Sequence, residues 1–162
     1  AHRYAAQLPL RKLEFETIDN RRLALNRQAK RHLTDSLEGY DRLLALIAER
    51  GSDGATLGID GAIVRNAYFA RGAVLYDLGR YEDAIAAYSS ATSRYQNEPA
   101  SIEAYVQIAA CHRRLNRPLA ARGTLEQAKL VIQRIEPEVD FAATSRFSRN
   151  EWIDHLNWMA TL

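Results

Sequence analysis

The chain reads as an all-α protein, and three observations predict that class. Apolar residues recur at steps of three and four, most clearly at Leu33, Leu37, Tyr40, Leu44 and Ile47, the spacing of one face of a helix. The four prolines and eight glycines fall mostly where a helix must end. Between those breaks the chain is rich in Ala, Leu, Arg, Glu and Gln, all good helix formers. At 162 residues, 47% hydrophobic and 26% charged, it is long enough for one sizeable core and too apolar for a disordered tail.

Element by element, residues 1–18 lack a steady period and hold Pro9, so they read as an arm. Asp19 or Asn20 offers an N-cap for a long helix over 20–49. A glycine-rich run follows at 51–61. It lacks the Gly-Lys-Ser/Thr ending of a phosphate-binding loop and the acid spacing of a calcium loop, so it reads as a connection. Further helices are predicted over 62–78, 81–96, 100–115 and 118–135. Gly79 supplies a left-handed C-cap to the first of these, and Asn116 does the same for the third. Pro118 suits the first turn of a helix. Ser148-Arg149-Asn150-Glu151 spells a capping box for a last helix over 149–161, with Phe147 placed to staple against Trp152 or Ile153. Its Trp152, Leu156 and Met159 form one apolar stripe.

Charge and chemistry narrow the function classes. Residues 1–33 carry eight Lys/Arg against three Asp/Glu, 34–61 carry two against six, and 99–137 carry six against three. Such alternation suits helices that attract one another better than one nucleic-acid track. No stretch approaches the length of about 18 apolar residues that a membrane span needs. Cys111 stands alone, so there is no intramolecular disulfide framework. His2, His32, His112 and His155 share no helical face with metal-ligand spacing. Cys111 and His112 are adjacent, about 100° apart on a helix, and do not converge. Neither a catalytic nor a cofactor motif is present, and the expectation is a non-enzymatic protein without cofactor, metal or small-molecule substrate.

The decisive stretch is 65–99. Tyr68, Gly72, Leu75, Gly79, Tyr81, Ala84, Tyr88 and Ala91, closed by Pro99, set small residues where two helices approach and large ones around them. A weaker copy follows 37 residues on, in Tyr105, Ala109, His112, Asn116, Pro118, Ala121, Leu125 and Ala128. This pattern resembles the tetratricopeptide repeat, with Arg71 in place of the usual Leu and a proline about three residues late. The 37-residue period, the longer second helix and the link Tyr95-Gln96-Asn97-Glu98-Pro99 are similar to repeats of bacterial cell-envelope assembly factors. The resemblance implies antiparallel helical hairpins stacked as a short right-handed solenoid. It also favours a periplasmic or extracytoplasmic module. Residues 1–61 are then the arm, the long helix (with Ser36, Tyr40 and Leu43 in the places of a degenerate repeat) and the loop. Residues 62–137 are two repeats, and 138–162 are a loop and a capping helix, within one structural domain.

In such stacks the first helix of each pair lines a concave groove. The resemblance therefore implies partner-binding residues at Asn66, Phe69, Tyr76, Gln107, Arg113 and Arg114. Ala73, Asp77, Glu103, Val106 and Ala110 lie between them. Phe69 and Tyr76 are the aromatic anchors, while Gln107 and Arg113 suit a peptide backbone or carboxylate. Repeats that hold chaperone tails carry a clamp Asn where this chain has Ala73, which argues against that ligand. The expected partner is a protein or peptide. Two alternatives stay open: self-association through the 33–47 stripe or the Trp helix, and nucleic-acid binding through Arg.

Overall fold

The computed structural model describes residues 19–50 and 60–161, and among these there is helix and turn but no strand. The arm at 1–18 and the glycine-rich connection at 51–59 lie outside the described residues. The chain divides into two compact units, Ala1–Arg80 and Tyr81–Leu162. The expected helices are all found, with ends within two residues of those read from the caps.

In the first unit, α1 (Asp19–Arg50) packs against α2 (Gly61–Asp77). The stripe predicts which side of α1 turns inward: Leu33, Leu37 and Ile47 are buried, joined by Ala29, while Tyr40 and Leu44 are half-buried. The stripe is thus spent inside the chain. Each fully buried Leu or Ile of this kind contributes about 1.5–3 kcal/mol. On the outer rim Arg71 of α2 pairs with Asp41 of α1, an exposed pair of modest value. Asp60 starts α2, its carboxylate accepting from the Ala62 N–H at 2.8 Å. Gly79, at φ 76°, ends it.

The second unit holds α3 (Tyr81–Arg94), α4 (Ala100–Arg114), α5 (Pro118–Arg134), a 3-10 turn at Phe141–Ala143 and α6 (Arg149–Ala160). Each α-helix packs on the next in order. Glu82 and Asp83 open α3, where carboxylates favour the positive helix end. Ile102, Leu125, Ile132, Ile135, Phe141, Trp152 and Leu156 belong to one core cluster. The α6 cap is the one its sequence spells. Ser148 Oγ accepts from the Glu151 N–H, and the Glu151 carboxylate accepts from the Ser148 N–H at 2.8 Å. Phe147 meets Trp152 edge to face at 5.0 Å.

The two turns that follow α2 and α4 are the same structure. After α2, the Arg80 N–H reaches back to Leu75 O at 2.9 Å and the Gly79 N–H to Tyr76 O at 2.9 Å. After α4, the Arg117 N–H reaches His112 O at 2.8 Å and the Asn116 N–H reaches Arg113 O at 3.0 Å. Both are the six-to-one and five-to-two bonds of a Schellman ending, 37 positions apart. Burial keeps the same register. Val64 and Ser101, Ala67 and Ala104, Gly72 and Ala109, Val74 and Cys111 are buried pairwise, as are Ala84 and Ala121, Tyr88 and Leu125, and Ala91 and Ala128. Among the described residues the fold is all-α and helical-repeat-like.

Candidate partner-binding face

The six residues expected to bind a partner fall on two helices, three in each unit. On α2, Asn66, Phe69 and Tyr76 follow one another at steps of three and seven, with Ala73 between them, so they share one side of the helix. Asn66 is exposed, and Phe69, Ala73 and Tyr76 are half-buried. The side of α2 opposite to buried Val64, Ala67 and Val74 therefore presents an amide and two aromatic rings, and the two rings have partners of their own within the chain.

On α4 the expected residues separate into two rows. Gln107 is half-buried and Arg114 exposed, and they lie on a ridge with Glu103 and Ala110. Arg113 lies beside that ridge and faces the C-terminal helix. Its guanidinium donates to Met159 O at 2.8 Å, so a cation meets the negative end of α6, where it is favourable. Val106 packs on the core cluster that contains Trp152 and Leu156. Glu103 accepts from the Arg146 guanidinium at 2.6 Å. The edge of α4 traced by residues 106 and 113 is thus held by the chain's own C-terminal segment, which also engages Glu103 at the start of the ridge. Gln107 and Arg114 lie on the neighbouring ridge.

The sequence reading missed the side chains that fix this segment. Arg149 donates to Ile132 O at 2.7 Å and to Glu136 O at 2.6 Å, and its guanidinium lies 4.7 Å over the Phe141 ring. Trp152 Nε1 donates to Ser145 Oγ at 2.5 Å. Arg149 stands at the first position of α6, where a cation opposes the helix dipole. That mismatch was the available signal that it serves something other than its own helix.

Cys111 is fully buried on α4. Burial pushes its thiol up from the ordinary 9.0 to about 11, against a lowering backbone hydrogen bond and with a smaller push from Glu82. A protonated, enclosed thiol is a core residue and a poor nucleophile. Beside it, His112 Nδ1 is enclosed without a hydrogen-bond partner among the described residues. This is the repeat position that Leu75 fills in the first copy, so an apolar site has received a ring with one polar atom left over. Among the described residues no three or more His, Cys, Asp or Glu gather where they would hold a metal ion, and no helix is long and apolar enough to cross a membrane.

No protein-family model, no curated protein and no solved structure matches this chain.

Proposed function

We propose that this chain is a tetratricopeptide-like interaction module that works by binding a protein or peptide segment, without chemistry of its own. The observation that carries the reading is the duplicated turn. The same pair of backbone bonds closes α2 at Gly79 and α4 at Asn116, and the same positions are buried 37 residues apart. A unit repeated in this register is the signature of helical-repeat proteins, whose exposed helix faces serve as binding surfaces. One side of α2 carries Asn66, Phe69 and Tyr76, and one ridge of α4 carries Gln107 and Arg114. Aromatic and Arg side chains are the usual anchors of such surfaces. On α4 we assign recognition to Gln107 and Arg114, since Arg113 is bonded to Met159 O, and Arg114 would exchange an interaction within the chain for one with the partner.

The test places a photo-crosslinking side chain at Asn66 or at Arg114, with Glu126 and Gln133 on the exposed side of α5 as controls. Expected is one common partner from Asn66 and Arg114 in native extract, and none from the controls. The Gln107→Ala, Arg114→Ala double variant should then bind that partner at least about tenfold more weakly, a loss of about 1.4 kcal/mol. Equal adducts from both sets of positions would overturn the assignment.

A further inference from the structure

The two ends of the described chain carry exposed surfaces of opposite charge that the proposed binding faces do not use. The first is the start of α1. That helix has 32 residues and α2 only 17, about 48 Å against about 26 Å, so α2 is too short to cover it. Every residue from 19 to 28 is exposed except the half-buried Leu25. This stretch and the turn after it carry Arg21, Arg22, Arg27, Lys30 and Arg31 against the single acid Asp19. Arg22, Arg27, Lys30 and Arg31 have no ion-pair partner among the described residues. Cations in the opening turns of a helix work against its dipole, so Arg22 gains nothing from its own helix there. Among them stands Leu23, 53% exposed. The acids that follow are partly spent locally, Glu38 on Arg42 and Asp41 on Arg71.

The second surface is the outer side of α6. Trp158 is 58% exposed, one ring face stacked on His155 at 5.8 Å. Asp154 lies one turn before it and Glu151 two turns before, both exposed. The cation of this helix, Arg149, is turned inward onto Ile132 O and Glu136 O. That second bond ties the preceding loop, with exposed Glu136 and Glu138, to the start of α6. The result is an acidic stretch along the outer side of α6 and the loop before it, with an exposed indole toward the helix end.

We propose that these surfaces are the two halves of one contact between copies of this chain. The acidic side of α6, with Trp158 toward its end, docks on the basic start of α1 of a second molecule, around Leu23. The argument is charge complementarity: Arg22, Arg27, Lys30 and Arg31 on one element face outward without an ion pair among the described residues, and exposed Asp and Glu stand on the other, with an exposed large apolar side chain on each. Opposed potentials steer such encounters and fix their register, while the Trp–Leu contact supplies apolar burial. The two patches differ, so the contact is head-to-tail, and each docked molecule leaves one half open for the next. This contact uses none of Asn66, Phe69, Tyr76, Gln107 and Arg114.

The test measures mass in solution against protein concentration, at low ionic strength and near 1 M salt, where screening reaches about 3 Å. Expected are dimers and longer species that grow with concentration at low salt and disappear at high salt. Arg27→Gln with Arg31→Gln removes one half, and Glu138→Gln with Asp154→Asn removes the other. Each variant alone should be monomeric, with the parent's helix content and thermal transition. Their equimolar mixture should form dimers and nothing longer, because only one productive pairing remains. A parent that stays monomeric at low salt overturns the proposal, and so does a mixture that forms no dimer. Variants that associate as the parent does also overturn it. Binding of an unrelated polyanion by the parent, without self-association, assigns the basic surface elsewhere and has the same effect.

Discussion

Asn116 and Gly79 do the same work with different chemistry. Both hold the backbone in the left-handed region, at φ 58° and 76°, where most L-residues lose about 1–2 kcal/mol. Asn tolerates that region better than other side chains, and Gly does so without a Cβ. Asn116→Gly should therefore leave stability unchanged or slightly raised, while Asn116→Ala should lower it by about 1 kcal/mol. Urea unfolding of the two variants checks this, and equal midpoints would mean that the turn is held by packing instead of by its cap. Both residues were legible because the conformation they adopt is a local property of the chain. Arg113 was not legible in the same way. Its neighbours in sequence make it one more cation near a helix end, and its partner, Met159 O, lies 46 residues away. Nothing local tells an Arg that faces a groove from one that faces the end of another helix.

Helices were the most legible level, because periodicity and caps are both written within a few residues. α6 starts at Arg149 because Ser148 and Glu151 bond each other's backbone. The carboxyl of Glu151 is held below its ordinary value by the Ser148 N–H first and the Ser148 hydroxyl second. A lowered carboxylate contributes stability above its unfolded value and loses it as pH falls through the lowered one. The cap is therefore intact at neutral pH and opens only on the acid side of the ordinary carboxylate range. Ser148→Ala should cost about 1 kcal/mol at neutral pH, read from thermal unfolding, and the cost should shrink in acid as the parent's own cap is protonated. A constant difference down to strongly acid pH would show that Glu151 is not part of it. Packing between helices was legible only where small residues marked it. Ala84, Ala91, Ala121 and Ala128 are all fully or almost fully buried, as their places in the pattern require. The tie from Arg149 to Ile132 and Glu136 and the Arg146–Glu103 pair join segments distant in sequence, and no spacing announces them.

For the whole molecule, the repeat has one consequence that bears on how the fold opens. Position 111 corresponds to Val74 in the preceding copy, and both are fully buried. The second copy thus carries the chain's lone thiol at a site built for an apolar side chain. Its pKa of about 11, set chiefly by burial, means that the native state keeps this proton above pH 9.0, where an unfolded thiol releases it. The folded form consequently loses stability as pH rises beyond 9.0, in proportion to the protons that unfolding sets free. Alkylation at mildly alkaline pH then proceeds only through molecules whose second unit has opened. If that opening costs about 4 kcal/mol, modification is slowed about a thousandfold relative to a free thiol. Added denaturant should accelerate it in step with the unfolding equilibrium, and mass spectrometry over time follows the single adduct. Rapid labelling in buffer would place the thiol at the surface instead. One cysteine in this place turns the chain into its own clock, reporting how often the packing around α4 comes apart.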